Sequence, residues 1–169
     1  MRFPLLTILL SKFFLVMIFQ DIMTLLNLTL SQLQNEAKKL ARRIKSPVCI
    51  ALWGDLGAGK TTFSKAFIRA LLEDDTADVP SPTFTLVQIY PTDKGEVWHS
   101  DLYRLSEPEE TIELGLLEAF QKAICIIEWP DRLGNLLPLQ RIDIYLDIID
   151  EDHRSIVIEE NHESSRPLH

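Results

Sequence analysis

Val48 to Trp53 is an unbroken apolar run, and it leads straight into Gly54-Asp-Leu-Gly-Ala-Gly-Lys60-Thr61. The run has the pattern of a strand buried on both faces. Thr61 to Leu72 then fits a helix. The segment between them matches GxxxxGK[ST], the P-loop pattern. A chain holding this junction is confined to folds that place a buried strand, a tight glycine turn and a helix start around one point. The glycines let the backbone approach an anion and turn its N–H groups inward, and the helix points its positive end at the same place. Lys60 adds a point charge for the β- and γ-phosphates of a nucleotide, and the Thr61 hydroxyl suits Mg²⁺. Asp55, Leu56, Gly57, Ala58, Gly59 and Thr62 complete the candidate nucleotide-binding loop beside Lys60 and Thr61. With 6 glycines in the chain, chance yields the pattern on the order of once in a thousand such sequences. A ligand-free glycine turn is therefore the poorer reading.

The remaining patterns alternate between strand and helix. Ser31 to Lys45 reads as a helix, with Ser31 and Gln34 at capping-box spacing and Ser46-Pro47 as its stop. Phe84 to Tyr90 and Glu96 to Leu102 form an expected hairpin around Pro-Thr-Asp-Lys-Gly. A second helix is expected from Glu107 to Phe120, capped by Ser106 and Glu109. Ala123 to Glu128 is another buried strand, and Arg141 to Ile148 with Ser155 to Glu160 form a final hairpin. These elements predict an α/β fold: a P-loop NTPase-like mixed β-sheet flanked by helices, in a single domain.

The ends of the chain stand apart. Residues 1–22 form an apolar extension, with Lys12 inside the run Phe3 to Phe19. It is shorter than the roughly 20 apolar residues of a bilayer span, and it lacks the small residues of a signal-peptide cleavage site. A translation start at Met23 is the favoured explanation, a membrane-associating segment the second. The P-loop domain is then 23–160, followed by a polar tail at 161–169. The net charge of −8 argues against a free-standing nucleic-acid binder. Cys49 and Cys125, each in an apolar run, read as buried reduced thiols, and the composition suits a cytoplasmic protein.

A P-loop enzyme needs an acidic group beside the phosphates, usually at the end of a strand next to the P-loop strand. Glu128 closes Ala-Ile-Cys-Ile-Ile-Glu and fits as the magnesium ligand beside Thr61; Asp101 closes the hairpin strand and competes. An ordinary charge at a strand end is the alternative for either. His99 either orients Asp101 or sits half-buried in the hairpin.

Four blocks now resemble one family. They are Gly54-Asp-Leu-Gly-Ala-Gly-Lys-Thr-Thr-Phe63, Ser81-Pro-Thr-Phe-Thr-Leu-Val87, His99-Ser-Asp-Leu-Tyr-Arg-Leu105 and Ile127-Glu-Trp-Pro130. In order and spacing they are similar to the TsaE (YjeE) family of bacterial P-loop ATPases, over roughly residues 29–160. The run before Met23 has no counterpart in that pattern. The resemblance implies ATP hydrolysis within a complex with the TsaB and TsaD proteins. That complex makes threonylcarbamoyladenosine beside the anticodon of tRNA, with TsaE resetting it rather than performing the transfer. Contact with tRNA would be indirect, with no role on DNA. The resemblance also implies that Thr61 and Glu128 hold Mg²⁺ and that Thr83 is a switch-type threonine sensing the γ-phosphate. Asp101 would position water or a metal-bound water, and Trp129 would shape the site or a partner contact. Thr29 to Ser31 would lie near the base, although no clear motif marks them.

Other functions fit less well. Asp131-Arg-Leu-Gly134 formally matches the DxxG of GTPases, but no NKxD guanine-reading motif exists. A small-molecule kinase would need an acceptor pocket and an arginine-bearing lid, for which only Arg104 and Arg132 are near. A non-hydrolysing nucleotide-gated binding module is the reading from another class. The cations Lys38, Lys39, Arg42, Arg43 and Lys45 fit a solvated helix face or a contact with an acidic partner or tRNA.

Overall fold

The computed structural model describes residues 7–11, 14–19 and 22–161, with side chains from residue 22 onward. Its strands are β1 (Thr7–Ser11), β2 (Phe14–Phe19), β3 (Ile22–Thr29), β4 (Val48–Trp53), β5 (Val87–Thr92), β6 (Gly95–Asp101), β7 (Ile124–Glu128), β8 (Arg141–Ile148) and β9 (His153–Asn161). They form one sheet in the order β1-β2-β3-β9-β8-β4-β7-β6-β5. The four central strands β8, β4, β7 and β6 are parallel. β5, β9, β3, β2 and β1 add antiparallel flanks. The sheet is mixed, as expected. The apolar extension thus supplies β1 and β2, and Met23 pairs with Ile158 inside β3. Among the described residues no helix is long and apolar enough to cross a membrane. The polar tail beyond Asn161 lies outside the described residues.

Alternation along β4 sends its side chains to two separate cores. Ile50 and Leu52 face α1 (Leu30–Arg43) and α2 (Lys60–Leu72), meeting Leu33, Leu40, Phe63 and Phe67. Cys49 faces the other side, with Cys125 and Ile127 of β7 and Leu116, Ala119 and Phe120 of α4 (Leu116–Lys122). Cys49 and Cys125 stand in register on neighbouring strands and are both free. Burial pushes both thiols above their usual range, Cys125 to about 12. They remain protonated and unreactive, in line with the buried-thiol reading.

Three sequence expectations need correction. α1 begins at Leu30, not Ser31: its capping box is Thr29 with Gln32, one pair earlier than Ser31 with Gln34. The helix expected over 107–120 is broken in two, α3 (Glu110–Glu113) and α4, because Gly115 adopts φ 77° between them. Glu110, rather than Glu109, accepts from the Ser106 and Glu107 N–H groups. Finally, β3 was not foreseen, and Phe84 lies ahead of β5 rather than in it.

The basic face of α1 is mostly paired. Lys38 meets Asp75 at 2.6 Å, Lys39 meets Glu36 at 2.7 Å, and Arg43 meets Glu160 at 2.7 Å. The end of the same helix is capped from the β5–β6 turn. Lys94 Nζ donates to the carbonyls of Ala41, Arg42 and Ile44 at 2.8, 2.9 and 3.2 Å. A cation on orphan carbonyls satisfies both hydrogen bonding and the helix dipole. Lys94→Met is expected to lower the unfolding free energy by about 1–2 kcal/mol. Urea denaturation checks this, and an unchanged midpoint would remove the cap from the account.

Candidate functional site

The parallel strands end together at one edge of the sheet, where open α/β folds bind their ligands. β4 ends at Trp53, and the chain turns through residues 54–59 into α2. Two glycines are fixed there by space as well as by conformation. A Cβ on Gly54, at φ 134°, would lie 2.2 Å from the Leu146 carbonyl oxygen of β8. A Cβ on Gly59, at φ 106°, would lie 2.8 Å from Leu33 of α1. Inside the turn, the Ala58 N–H donates to the Asp55 carbonyl at 3.1 Å, and Ala58 is fully buried.

Lys60 opens α2 and is almost entirely buried. Its ammonium donates to the Gly54 carbonyl and, at 2.8 Å, to the Asp55 carbonyl. It also lies 3.8 Å from the centre of the Trp129 ring. Burial holds its pKa below the ordinary lysine value; the opposing pull of Glu128 and Asp101 limits that shift. Trp129 itself occupies the left-handed region (φ 61°, ψ 54°) and packs on Tyr103 at 5.0 Å. A bulky residue there is strained, and such strain concentrates at functional sites.

The two competing carboxylates are neighbours. β6 and β7 run in parallel with Asp101 opposite Glu128. The Thr61 hydroxyl donates to Glu128 Oε2 at 2.8 Å. Glu128 Oε1 lies 2.9 Å from Ser64 Oγ and 2.8 Å from His99 Nε2. Asp101 Oδ2 accepts from the Thr83 hydroxyl at 3.0 Å, and Ser81 Oγ is 2.9 Å from Thr83 Oγ1. Asp101 Oδ1 accepts from the Tyr103 N–H at 3.2 Å. His99 is therefore fully buried and oriented on Glu128, not half-buried or turned to Asp101.

Together these groups line a cleft of about 340 Å³. Leu56, Gly57, Gly59, Lys60, Thr61 and Thr62 form one wall; Thr83, Asp101, Arg104, Glu128 and Trp129 form the other. Arg132 and Asp131 are not among the lining residues, so the DxxG match has no place in it. A larger groove of about 970 Å³ opens at the other end of the strands, beside Arg43, Pro47 and Leu139. It has no glycine turn or paired carboxylates, so the smaller cleft is the candidate site. Its oxygen donors include the Asp101 and Glu128 carboxylates and the Thr61 and Thr83 hydroxyls, which are of the hard type that Mg²⁺ prefers. The residues fit that ion, with Thr61 and Glu128 as the natural holders. The sequence reading missed Ser64, although its place three residues after Thr61 puts it on the same helix face. It also missed Leu146, which has no chemical signature because it acts through its backbone.

Comparison with known proteins follows the same lines. A family model described as threonylcarbamoyl adenosine biosynthesis protein TsaE matches residues 28–156. The Rickettsia bellii tRNA threonylcarbamoyladenosine biosynthesis protein TsaE is 41% identical over 121 residues, 72% of this chain and 83% of that protein. The Bacillus subtilis protein of the same name is 38% identical, over 71% of this chain and 74% of its own length. Among solved structures, the crystal structure of YdiB from Bacillus subtilis superposes with a TM-score of 0.65 at 26% identity. It covers 83% of this chain and 86% of its own.

Proposed function

The chain belongs to the TsaE family of threonylcarbamoyl adenosine biosynthesis proteins, and on that premise we propose that it is a Mg²⁺-dependent P-loop ATPase. In this reading it serves tRNA threonylcarbamoyladenosine modification in the cytoplasm. It acts with TsaB and TsaD, meets tRNA only through that complex, and leaves the transfer step to its partners. The observation that supports hydrolysis, over binding alone, is the meeting of Thr61 with Glu128 at 2.8 Å beside a second carboxylate, Asp101, in the next strand. A site that only held ATP would need the turn, Lys60 and Thr61, but not two buried carboxylates lining the same cleft.

Each residue then has a distinct task. The turn from Asp55 to Thr62 wraps the phosphates with backbone N–H groups, and Lys60 places its charge on the β- and γ-oxygens. Thr61 and Glu128 would hold Mg²⁺, which would supply neutralisation of the charge that develops on the transferring phosphate. Asp101 orients the attacking water and takes its proton. Thr83, bonded to Asp101 at 3.0 Å, exchanges that bond for one to the γ-phosphate and so reports its presence.

Magnesium titration of ATP turnover, in the presence of TsaB and TsaD, tests these assignments. Glu128→Ala should raise the Mg²⁺ midpoint by about 10-fold or more. Asp101→Ala should lower turnover at saturating Mg²⁺ by about 100-fold, with little change in midpoint. The opposite pattern would exchange the two roles. No ATP turnover by the unaltered protein under these conditions would end the ATPase reading.

A further inference from the structure

The side of Glu128 that faces away from the cleft is held by two groups that phosphate binding does not require. His99 lies on β6 two positions before Asp101, so both point to the α2 face of the sheet. Its register partner on β7 is Ile126, and its ring reaches along the strand to Glu128 Oε1 at 2.8 Å. Ser64 arrives from α2, with Oγ 2.9 Å from the same oxygen and 3.1 Å from the Lys60 carbonyl, its single proton serving both. Both side chains are fully buried. His99 Nδ1 is also buried and has no hydrogen-bond partner among the described residues.

That last detail separates a functional from a packing role. An aliphatic side chain at position 99 would fill the core without stranding a polar atom. The histidine carries that cost for one bond, and the bond goes to the carboxylate beside Thr61. Carboxylate Oε2 is left facing the Thr61 hydroxyl. Ligating carboxylates are commonly held by such outer partners, which fix the rotamer of the ligand.

We propose that His99 and Ser64 are positioning residues for the magnesium-binding carboxylate: together they hold Oε1 of Glu128 so that Oε2 is presented to Thr61 and the cation. The inference rests on the Mg²⁺-nucleotide reading given above and adds to it the residues that set metal affinity from outside the cleft. Neither residue is among those lining the cleft, so their loss should weaken the metal without weakening the nucleotide alone.

The test uses the full chain and ATPγS, titrated calorimetrically in excess Mg²⁺ and again in EDTA. The ratio of the two affinities measures the contribution of the metal. His99→Phe and Ser64→Ala should each reduce that ratio by about 10-fold. Affinity in EDTA should stay within about twofold, because the phosphate-binding turn is untouched. His99→Gln, which can donate from the same place, should restore most of the ratio. An unchanged ratio in folded His99→Phe or Ser64→Ala overturns the proposal. So does an equal loss in EDTA, which marks a purely structural role, or a glutamine variant no better than phenylalanine. Should His99→Phe not fold, Ser64→Ala and His99→Gln decide alone. A ratio of one in the unaltered protein would instead overturn the magnesium reading beneath the proposal.

Discussion

Lys60→Ala should lose at least 100-fold in ATP turnover while remaining folded. The ammonium is fixed by the Gly54 and Asp55 carbonyls and by the Trp129 ring before any phosphate arrives. A charge held in that way needs no reorganisation when negative charge develops on the transferred group. Its removal typically costs about 3 kcal/mol of transition-state stabilisation, which is the 100-fold loss. Stability changes should be smaller, on the order of 1–2 kcal/mol, because two carbonyls lose a donor but can be met by water. Single-turnover kinetics together with circular dichroism melting separates the two effects. A folded variant with near-normal turnover would show that the ammonium does not act on the phosphates.

Gly54→Ala is expected to damage stability more than any other single methyl group added to the turn. The new Cβ would sit 2.2 Å from the Leu146 oxygen, an approach that cannot be relieved by rotating a side chain, because the obstacle is backbone. The residue would also have to hold φ 134°. Strain and overpacking together give a loss of roughly 4 kcal/mol. Gly57→Ala is the control. It shares the positive φ, at 83°, but its Cβ would meet nothing nearer than Ile148 at 4.0 Å. Its loss should be about 1 kcal/mol, from conformation alone. Equal losses in urea denaturation would mean that β8 yields to the extra methyl, and that contact with Leu146 does not constrain the turn.

The strand-turn-helix junction was legible because its signals are local. Val48 to Trp53 is apolar throughout, and the strand occupies those same residues. Glu128 and Asp101 were recognisable as strand ends, but not as direct neighbours, because register between strands separated by a helix is a property of the whole sheet. β3 escaped notice for a physical reason. Asn27 takes φ 62°, and the pairing with β9 shifts between Leu25 and Leu28, so the apolar alternation is broken in the middle. The start of α1 was ambiguous because Thr29 with Gln32 and Ser31 with Gln34 satisfy the same spacing; the geometry chose the earlier pair. The break at Gly115 rests on its left-handed φ of 77°, while a Cβ there would meet the Trp98 ring of β6 only at an ordinary contact distance of 3.6 Å. No helical periodicity within 107–120 carries that information.

The backing of the phosphate turn by β8 has a consequence for biosynthesis. The turn motif leaves the ribosome with β4 and α2, but the Leu146 carbonyl behind Gly54 and the Arg154 guanidinium, 3.4 Å from the Gly57 carbonyl, are translated much later. The earlier strand β3 likewise waits for β9, its antiparallel partner. A nascent chain halted after Trp129 would display every residue of the cleft wall and still lack the surface that shapes the turn. Long-range closure of this kind is slow relative to helix formation. The candidate site therefore takes its final shape only once β8 and β9 have been made, and a chain cut before Leu146 lacks the backbone that backs Gly54.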